Sequence, residues 1–298
     1  MSVQLAVAPI AWSNSDLPQL GGDTPLETCL RESREAGFTG TESGAKYPMD
    51  PEKLGPLLKQ FDLKLASGWF SGNLRECSVD EEWENLKEML YTFKSLQAPV
   101  LVYAETSGSV QTKQQIPVSQ RPVMPNDEYP EYGQKLTKIA DRMADYGVPM
   151  VYHHHMGTVI ETEREVDLLM ANTGPNVNLL IDTGHLTFAG GNVEATTRRH
   201  GHRVKHVHCK DIRANVYKRV QAEDMSFLDA VLEGVFTVPG DGSIDFHNFA
   251  KVLSDINYSG WIVVEAEQDP EKANPLVYSR MGHQHLTDAL QKASIDIQ

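Results

Sequence analysis

Eight short apolar runs, each followed by a stretch of helical period, predict a single α/β domain, a (β/α)8 barrel spanning residues 1–298. Two more observations favour a barrel over a doubly wound sheet. No G-x-G-x-x-G follows the first apolar run. Polar residues gather where the runs end, which is where a barrel assembles its site. No shift in composition divides the chain into separate units.

The first strand is expected over residues 5–10 and the first helix over 25–36, where Leu26, Cys29, Leu30 and Ser33 share a face. Gly37 stops that helix, and a short strand follows over 40–42. Asp50 caps and Pro51 opens a helix that runs to residue 61, with proline near the first turn, where its missing N–H costs nothing. A third strand over 64–68, a helix over 79–96 and a fourth strand over 99–104 bring the chain to Glu105. The polar segment 106–127 is rich in Ser, Gln, Thr and Pro, and its length predicts a lid or binding loop. A helix over 129–146 stops at Gly147.

The fifth strand begins at Met150 and ends in His153-His154-His155 before a Met-Gly-Thr turn. Histidine runs occur in tags, but tags sit at termini, whereas this run lies mid-chain inside a strand pattern. A helix over 162–171, a sixth strand over 177–182, a helix over 193–201 and a seventh strand over 203–210 follow. The excursion 211–236 is partly helical. After Pro239-Gly-Asp-Gly242 come a helix over 246–256, the eighth strand over 260–265 and a closing helix over 275–293.

Composition narrows the function. The chain is 40% hydrophobic and 23% charged, as expected of a globular protein with a large core. A net charge of -14 argues against nucleic-acid phosphates as partners. The 3 cysteines, Cys29, Cys77 and Cys209, form no C-x-x-C pair and imply no disulfide framework. The first residues read as a strand and not as a signal peptide, and no run approaches the ~20 apolar residues that span a bilayer, so a cytoplasmic protein with no membrane partner is expected.

Strand ends supply the candidate chemistry: Glu42, Trp69, Glu105, His153 to His155, Asp182 with His185, His206 with His208 and Lys210, and Glu265 with Glu267. Alternation along a strand puts His153 and His155 on one face and turns His154 away. It likewise groups His206, His208 and Lys210, and sends Cys209 to the opposite face. Glu265 and Glu267 share a side, so either can ligate. Imidazoles and carboxylates without thiolate suit a divalent ion such as Mn, Co or Zn.

The motifs Asp182-Thr-Gly-His185, His206-Val-His208-Cys-Lys210-Asp211, Pro239-Gly-Asp-Gly-Ser-Ile-Asp-Phe246 and Trp261-Ile-Val-Val-Glu265 resemble those of the xylose isomerase-like TIM-barrel superfamily. Within it, Tyr152-His-His-His-Met-Gly-Thr158 and Val264-Glu-Ala-Glu-Gln-Asp-Pro270 resemble the inosose dehydratases of myo-inositol catabolism. The resemblance covers essentially the whole chain. It implies a metal held by Asp182, His208 and Glu265. The remaining position, where relatives use Glu, falls here to a histidine, most simply His153, with His155 or water as alternatives. It further implies Mn or Co and an association with glutathione. A homo-oligomer is one candidate assembly, and the sequence leaves the oligomeric state open.

The implied reaction is loss of water from a small polyol ketone, 2-keto-myo-inositol (scyllo-inosose), to give a trihydroxycyclohexane-dione. In that reading His155 and Glu42 are candidate bases and Lys210 polarises the substrate or acts as acid. Trp12 and Trp69 wall the ring, and His185 and Glu105 contact it. A metal-dependent ketose epimerase or isomerase is the alternative, since it shares the enediolate step. A metallo-phosphodiesterase and a non-catalytic polyol-binding protein are the readings from other classes, and the net charge counts against the first.

Overall fold

Alternate side chains along the strands sort into two cores, and that sorting aims the polar strand ends inward. The computed structural model describes residues 1–298. Eight parallel strands, β1 (Ser2–Val7), β2 (Gly40–Ser43), β3 (Lys64–Gly72), β4 (Leu101–Glu105), β5 (Met150–His153), β6 (Asn178–Asp182), β7 (Val204–Cys209) and β8 (Gly260–Val264), pair in chain order. The barrel closes between β1 and β8, in register from Val3 opposite Gly260 to Val7 opposite Val264.

The outward set, including Leu5, Tyr103, Tyr152, Ile181, Cys209 and Ile262, joins the helices in a core of 55 buried residues. The inward set is smaller. Val102, Val151 and Leu180 pack beneath Trp69, and Ala6, Ala66 and Val263 pack around Trp261. His153 follows Val151 by two positions, Asp182 follows Leu180, and Glu265 follows Val263, so each inherits the inward direction. Two register shifts adjust the phase. Thr41 faces Leu65 but Glu42 faces Ser67, and Leu179 faces Val204 but Leu180 faces His206. Each shift drops one residue from the ladder and brings a polar side chain to the mouth.

Local signals explain the helices. Asp50 accepts the Glu52 N–H ahead of Pro51–Gln60, and Ser78 with Glu81 forms a capping box on Val79–Ser95. Gly147, at a φ of 99°, ends Tyr129–Tyr146. No helix is long and apolar enough to cross a membrane.

Three features differ from the sequence expectation. A helix over Thr183–Phe188 follows β6 directly, capped by Asp182. The excursion after β7 forms an antiparallel ribbon, Asp211–Ile212 against Phe236–Thr237, around helices Ala214–Ala222 and Phe227–Leu232. Its apolar residues join Leu17, Leu20, Val118, Met156 and Phe188 in a second core of 13 buried residues, which roofs one side of the barrel mouth. The segment 106–127 holds one short turn, Val118–Gln120, and is tied to its surroundings.

The Pro239-Gly-Asp-Gly motif serves this roof. The Asp211 carboxylate accepts N–H groups from Ile212 at 2.8 Å, Gly240 at 3.1 Å, Gly242 at 3.1 Å and Ile244 at 2.9 Å. Replacing Asp211 by Ala leaves these amides without their acceptor. Urea unfolding of Asp211→Ala is expected to show a stability loss of about 3 kcal/mol; a midpoint unchanged from wild type would contradict this account of the motif.

Candidate functional site

The C-terminal mouth of the barrel opens into a cavity of about 490 Å³ lined by Glu42, Trp69, Gln111, His153, His155, His208, Glu265 and Glu267, with Pro9, Ile10, Ser13, Asp16 and Ser71 towards the rim. Beneath it lie Asp182 and Lys210, both fully buried.

Asp182 does two jobs with its two oxygens. Oδ1 caps the following helix by accepting the His185 N–H at 2.8 Å. Oδ2 is sealed from solvent and has no hydrogen-bond partner. Around it stand His208 Nδ1 at 3.5 Å, His153 Nε2 at 3.8 Å, Lys210 Nζ at 3.8 Å and His185 Nε2 at 3.9 Å. Donor atoms sharing a tetrahedral ion with bonds of about 2.1 Å lie roughly 3.4 Å apart. The separations from His208 and His153 are thus close to those of a shared cation.

Hydrogen bonds elsewhere on the rings set their free nitrogens. His153 Nδ1 donates to the His154 carbonyl at 2.6 Å, which leaves the Nε2 lone pair facing Asp182. His208 Nε2 lies 3.0 Å from Glu42 Oε1, so donation there frees Nδ1. That Nδ1 lies 2.8 Å from Glu265 Oε2 without hydrogen-bond alignment. His153, Asp182 and His208 bring three ligand atoms close enough together to hold a divalent ion, Asp182 is likewise grouped with His185 and Glu265, and the orphaned Asp182 oxygen fits such an ion.

Glu42 Oε1 also meets His206 Nε2 at 3.0 Å and accepts from the Ser67 hydroxyl. Burial would raise its pKa, but His208 and His206 outweigh that and hold it down at about 2. Sequence reasoning missed Ser67 as part of this network, although Ser67 and Trp69 stand two apart on β3. Burial, reinforced by the other imidazoles, keeps His153 well below the usual histidine range, and burial with Lys210 lowers His155 to about 4.

Lys210 is the fixed cation. Its Nζ donates to Glu267 Oε1 at 2.6 Å and Glu265 Oε1 at 2.9 Å, and lies 2.9 Å from His185 Nε2. Burial disfavours the charge, yet these carboxylates raise its pKa. A Cβ on Gly184 would sit 2.6 Å from Lys210 Cγ, so glycine there makes room for the lysine to pass. Glu267 keeps a buried, unpartnered Oε2, and burial together with Glu265 pushes its pKa up to about 7 against the pull of Lys210.

Four sequence expectations need correction. Trp12 is buried outside the barrel, where its Nε1 donates to Glu32 Oε2 at 2.7 Å, so it does not wall the cavity. Glu105 has the parity of Tyr103 and points outward, where it accepts N–H groups from Ser107 at 3.0 Å and Arg75 at 3.3 Å. His185 stands behind His155, ring centroids 4.0 Å apart, packed against Phe227 and Phe236 and away from the cavity. Lys210 is enclosed by its acceptors and does not reach the cavity surface. Trp69 does line the cavity, edge-on to His153 and His155, while His154 faces away and accepts the Asp182 N–H at 3.3 Å.

The lining offers no lysine or arginine to meet the carboxylates of a glutathione.

A model of the xylose isomerase-like TIM barrel family matches residues 30–289. The rhizopine catabolism protein MocC of Rhizobium meliloti is 50% identical, over 96% of this chain and 88% of that protein. An inosose dehydratase of Geobacillus thermodenitrificans is 43% identical, over 96% of this chain and 97% of that one. Among solved structures, the IOLI protein with a bound zinc atom superposes with a TM-score of 0.68 at 19% identity, covering 98% of this chain and 99% of that one, a likeness of fold.

Two outcomes follow from the geometry. Asp182→Asn keeps an Ncap acceptor but loses the anionic oxygen, so elemental analysis should find bound metal reduced from about one equivalent to a small fraction. Undiminished metal would refute the donor set. Glu42→Gln removes no donor but loosens the His208 tautomer, and a metal titration should show affinity weakened by about 10- to 100-fold.

Proposed function

The chain belongs to the xylose isomerase-like TIM-barrel family, among the inosose dehydratases, and on that basis we propose that it is a metal-dependent hydro-lyase acting on a six-membered polyol ketone. The substrate is 2-keto-myo-inositol and the product a trihydroxycyclohexane-dione. The observation that carries this reading is the 43% identity to an inosose dehydratase across 97% of that enzyme's length.

His153, Asp182, His208 and Glu265 would hold the ion, with Mn or Co as first candidates and Zn compatible with the same donors. Bound there, a divalent ion would supply Lewis acidity to the ketone oxygen. The chain's own groups perform the proton transfers. His155 donates Nδ1–H to the Met156 carbonyl at 2.9 Å, leaving Nε2 free to accept a proton. His155 takes the proton from the carbon beside the ketone, and that C–H electron pair becomes the enediolate double bond. As the enolate oxygen re-forms the carbonyl, the enediolate double-bond pair shifts onto the next carbon, whose hydroxyl leaves as water with a proton from Glu267; the unpartnered Oε2 of Glu267 belongs to a side chain lining the same cavity. The enol product then ketonises to the dione.

Lys210 holds Glu265 and Glu267 in place from below, and Glu42 fixes His208. Trp69 gives the ring an apolar wall. The carboxylates in the lining disfavour a phosphodiester, which separates this site from a nuclease function. The 50% identity to MocC favours a second reading, in which the same hydro-lyase site serves rhizopine catabolism.

Incubating the metal-loaded protein with scyllo-inosose should give the absorbance of the dione. Turnover of a free ketohexose with no such absorbance would replace this proposal with an epimerase. Glu267→Gln should lower kcat by about 10²- to 10⁴-fold with metal content retained, as expected for a lost proton donor.

A further inference from the structure

The segment 106–127 presents one group to the cavity that the mechanism above does not use. Gln111 is 7% exposed, lines the cavity, and is the only carboxamide in that lining. Its Oε1 is buried with no hydrogen-bond partner. A buried amide oxygen without a partner is destabilising unless a ligand completes it.

The backbone around Gln111 is built to hold it there. Val110 N–H donates to the Gly157 carbonyl at 2.9 Å. Gly157 has a φ of 78°, and a Cβ on it would stand 2.8 Å from the Gln111 nitrogen, so glycine at this turn permits the close approach. Glu161 Oε2 accepts the Gly157 N–H at 2.7 Å and lies 3.3 Å from Arg121 Nε. Arg121 also donates to the Thr158 carbonyl at 3.0 Å and to Glu165 at 2.8 Å. Further along, Gln114 donates to Asp229 at 2.8 Å and Ser119 to Asp224 at 2.7 Å. The segment is thus fastened to the turn that follows His155 and to the roof.

We propose that Gln111 is a specificity-determining residue, whose carboxamide pairs with a ring hydroxyl of the polyol ketone. This rests on the hydro-lyase reading for the identity of the ligand. An amide both donates and accepts, as a hydroxyl does, whereas the ionised carboxylates in the lining only accept. A site that hydrogen-bonds a hydroxyl rejects an analogue lacking it, because the amide is then left unpaired.

The test compares metal-loaded wild type with Gln111→Met, which is nearly isosteric, and with Gln111→Ala. Melting temperature and metal content report that both variants are folded and loaded. The assay measures kcat and KM for scyllo-inosose and for monodeoxy analogues at each ring position. Both variants should lose about 10- to 100-fold in kcat/KM for scyllo-inosose, mainly through KM. The preference for scyllo-inosose over one deoxy analogue should collapse, with the other preferences kept. Wild-type preferences retained at every ring position would overturn the proposal. Calorimetric titration with myo-inositol separates the two readings. If wild type turns over no inosose, the hydro-lyase reading fails. The assignment of Gln111 then stands if myo-inositol binding weakens in the variants, and falls if binding is equal in all three proteins or absent from wild type.

Discussion

An unpaired carboxylate oxygen buried at the bottom of a barrel mouth governs the arrangement of everything around it. Asp182 Oδ2 is buried and has no hydrogen-bond partner. Taking a carboxylate out of water carries a penalty of several kcal/mol, which a folded protein tolerates only where a cation compensates it. Lys210 supplies part of that compensation from 3.8 Å away. The nitrogens of His153 and His208 stand at distances that an ion can bridge.

This arrangement depends on the strand phase. The inward direction of Leu180 and Val151 passes by two-residue alternation to Asp182 and His153. The register shifts against β3 and β7 then bring Ser67 and His206 onto Glu42, and Glu42 onto His208. Geometry two layers deep thus determines which histidine nitrogen is free at the surface of the cavity. The second core, with Phe227 and Phe236 over His185, keeps water from the lysine–carboxylate cluster beneath. Low dielectric there strengthens every charge contact in the cluster.

Much of this was legible in the chain. Alternation within a strand is a local property, so His153 with His155, and His208 with Lys210, were grouped correctly and His154 turned away. The same rule applied to β4 points Glu105 outward with Tyr103, and its position at a strand end alone was a misleading signal. Trp12 was harder, because it lies beyond β1 and just past a short turn, Pro9–Ala11, where strand parity no longer applies. Glu267 was readable only as a second possible ligand, since its environment is made by Lys210 from another strand.

The sequence by itself determined the barrel and part of the polar set at its mouth, His153, His155, His208 and Glu265 among it, because periodicity and caps act over a few neighbouring residues. Only the tertiary structure decided how those side chains divide their contacts. Asp182 gives one oxygen to a helix and keeps the other open, and Lys210 is enclosed where it was expected to meet substrate. Glu42 braces a histidine, and Gln111 is carried to the cavity by a segment with no periodicity to read. Each outcome depends on atoms from strands and loops far apart in the chain, and their meeting is a consequence of closing the barrel.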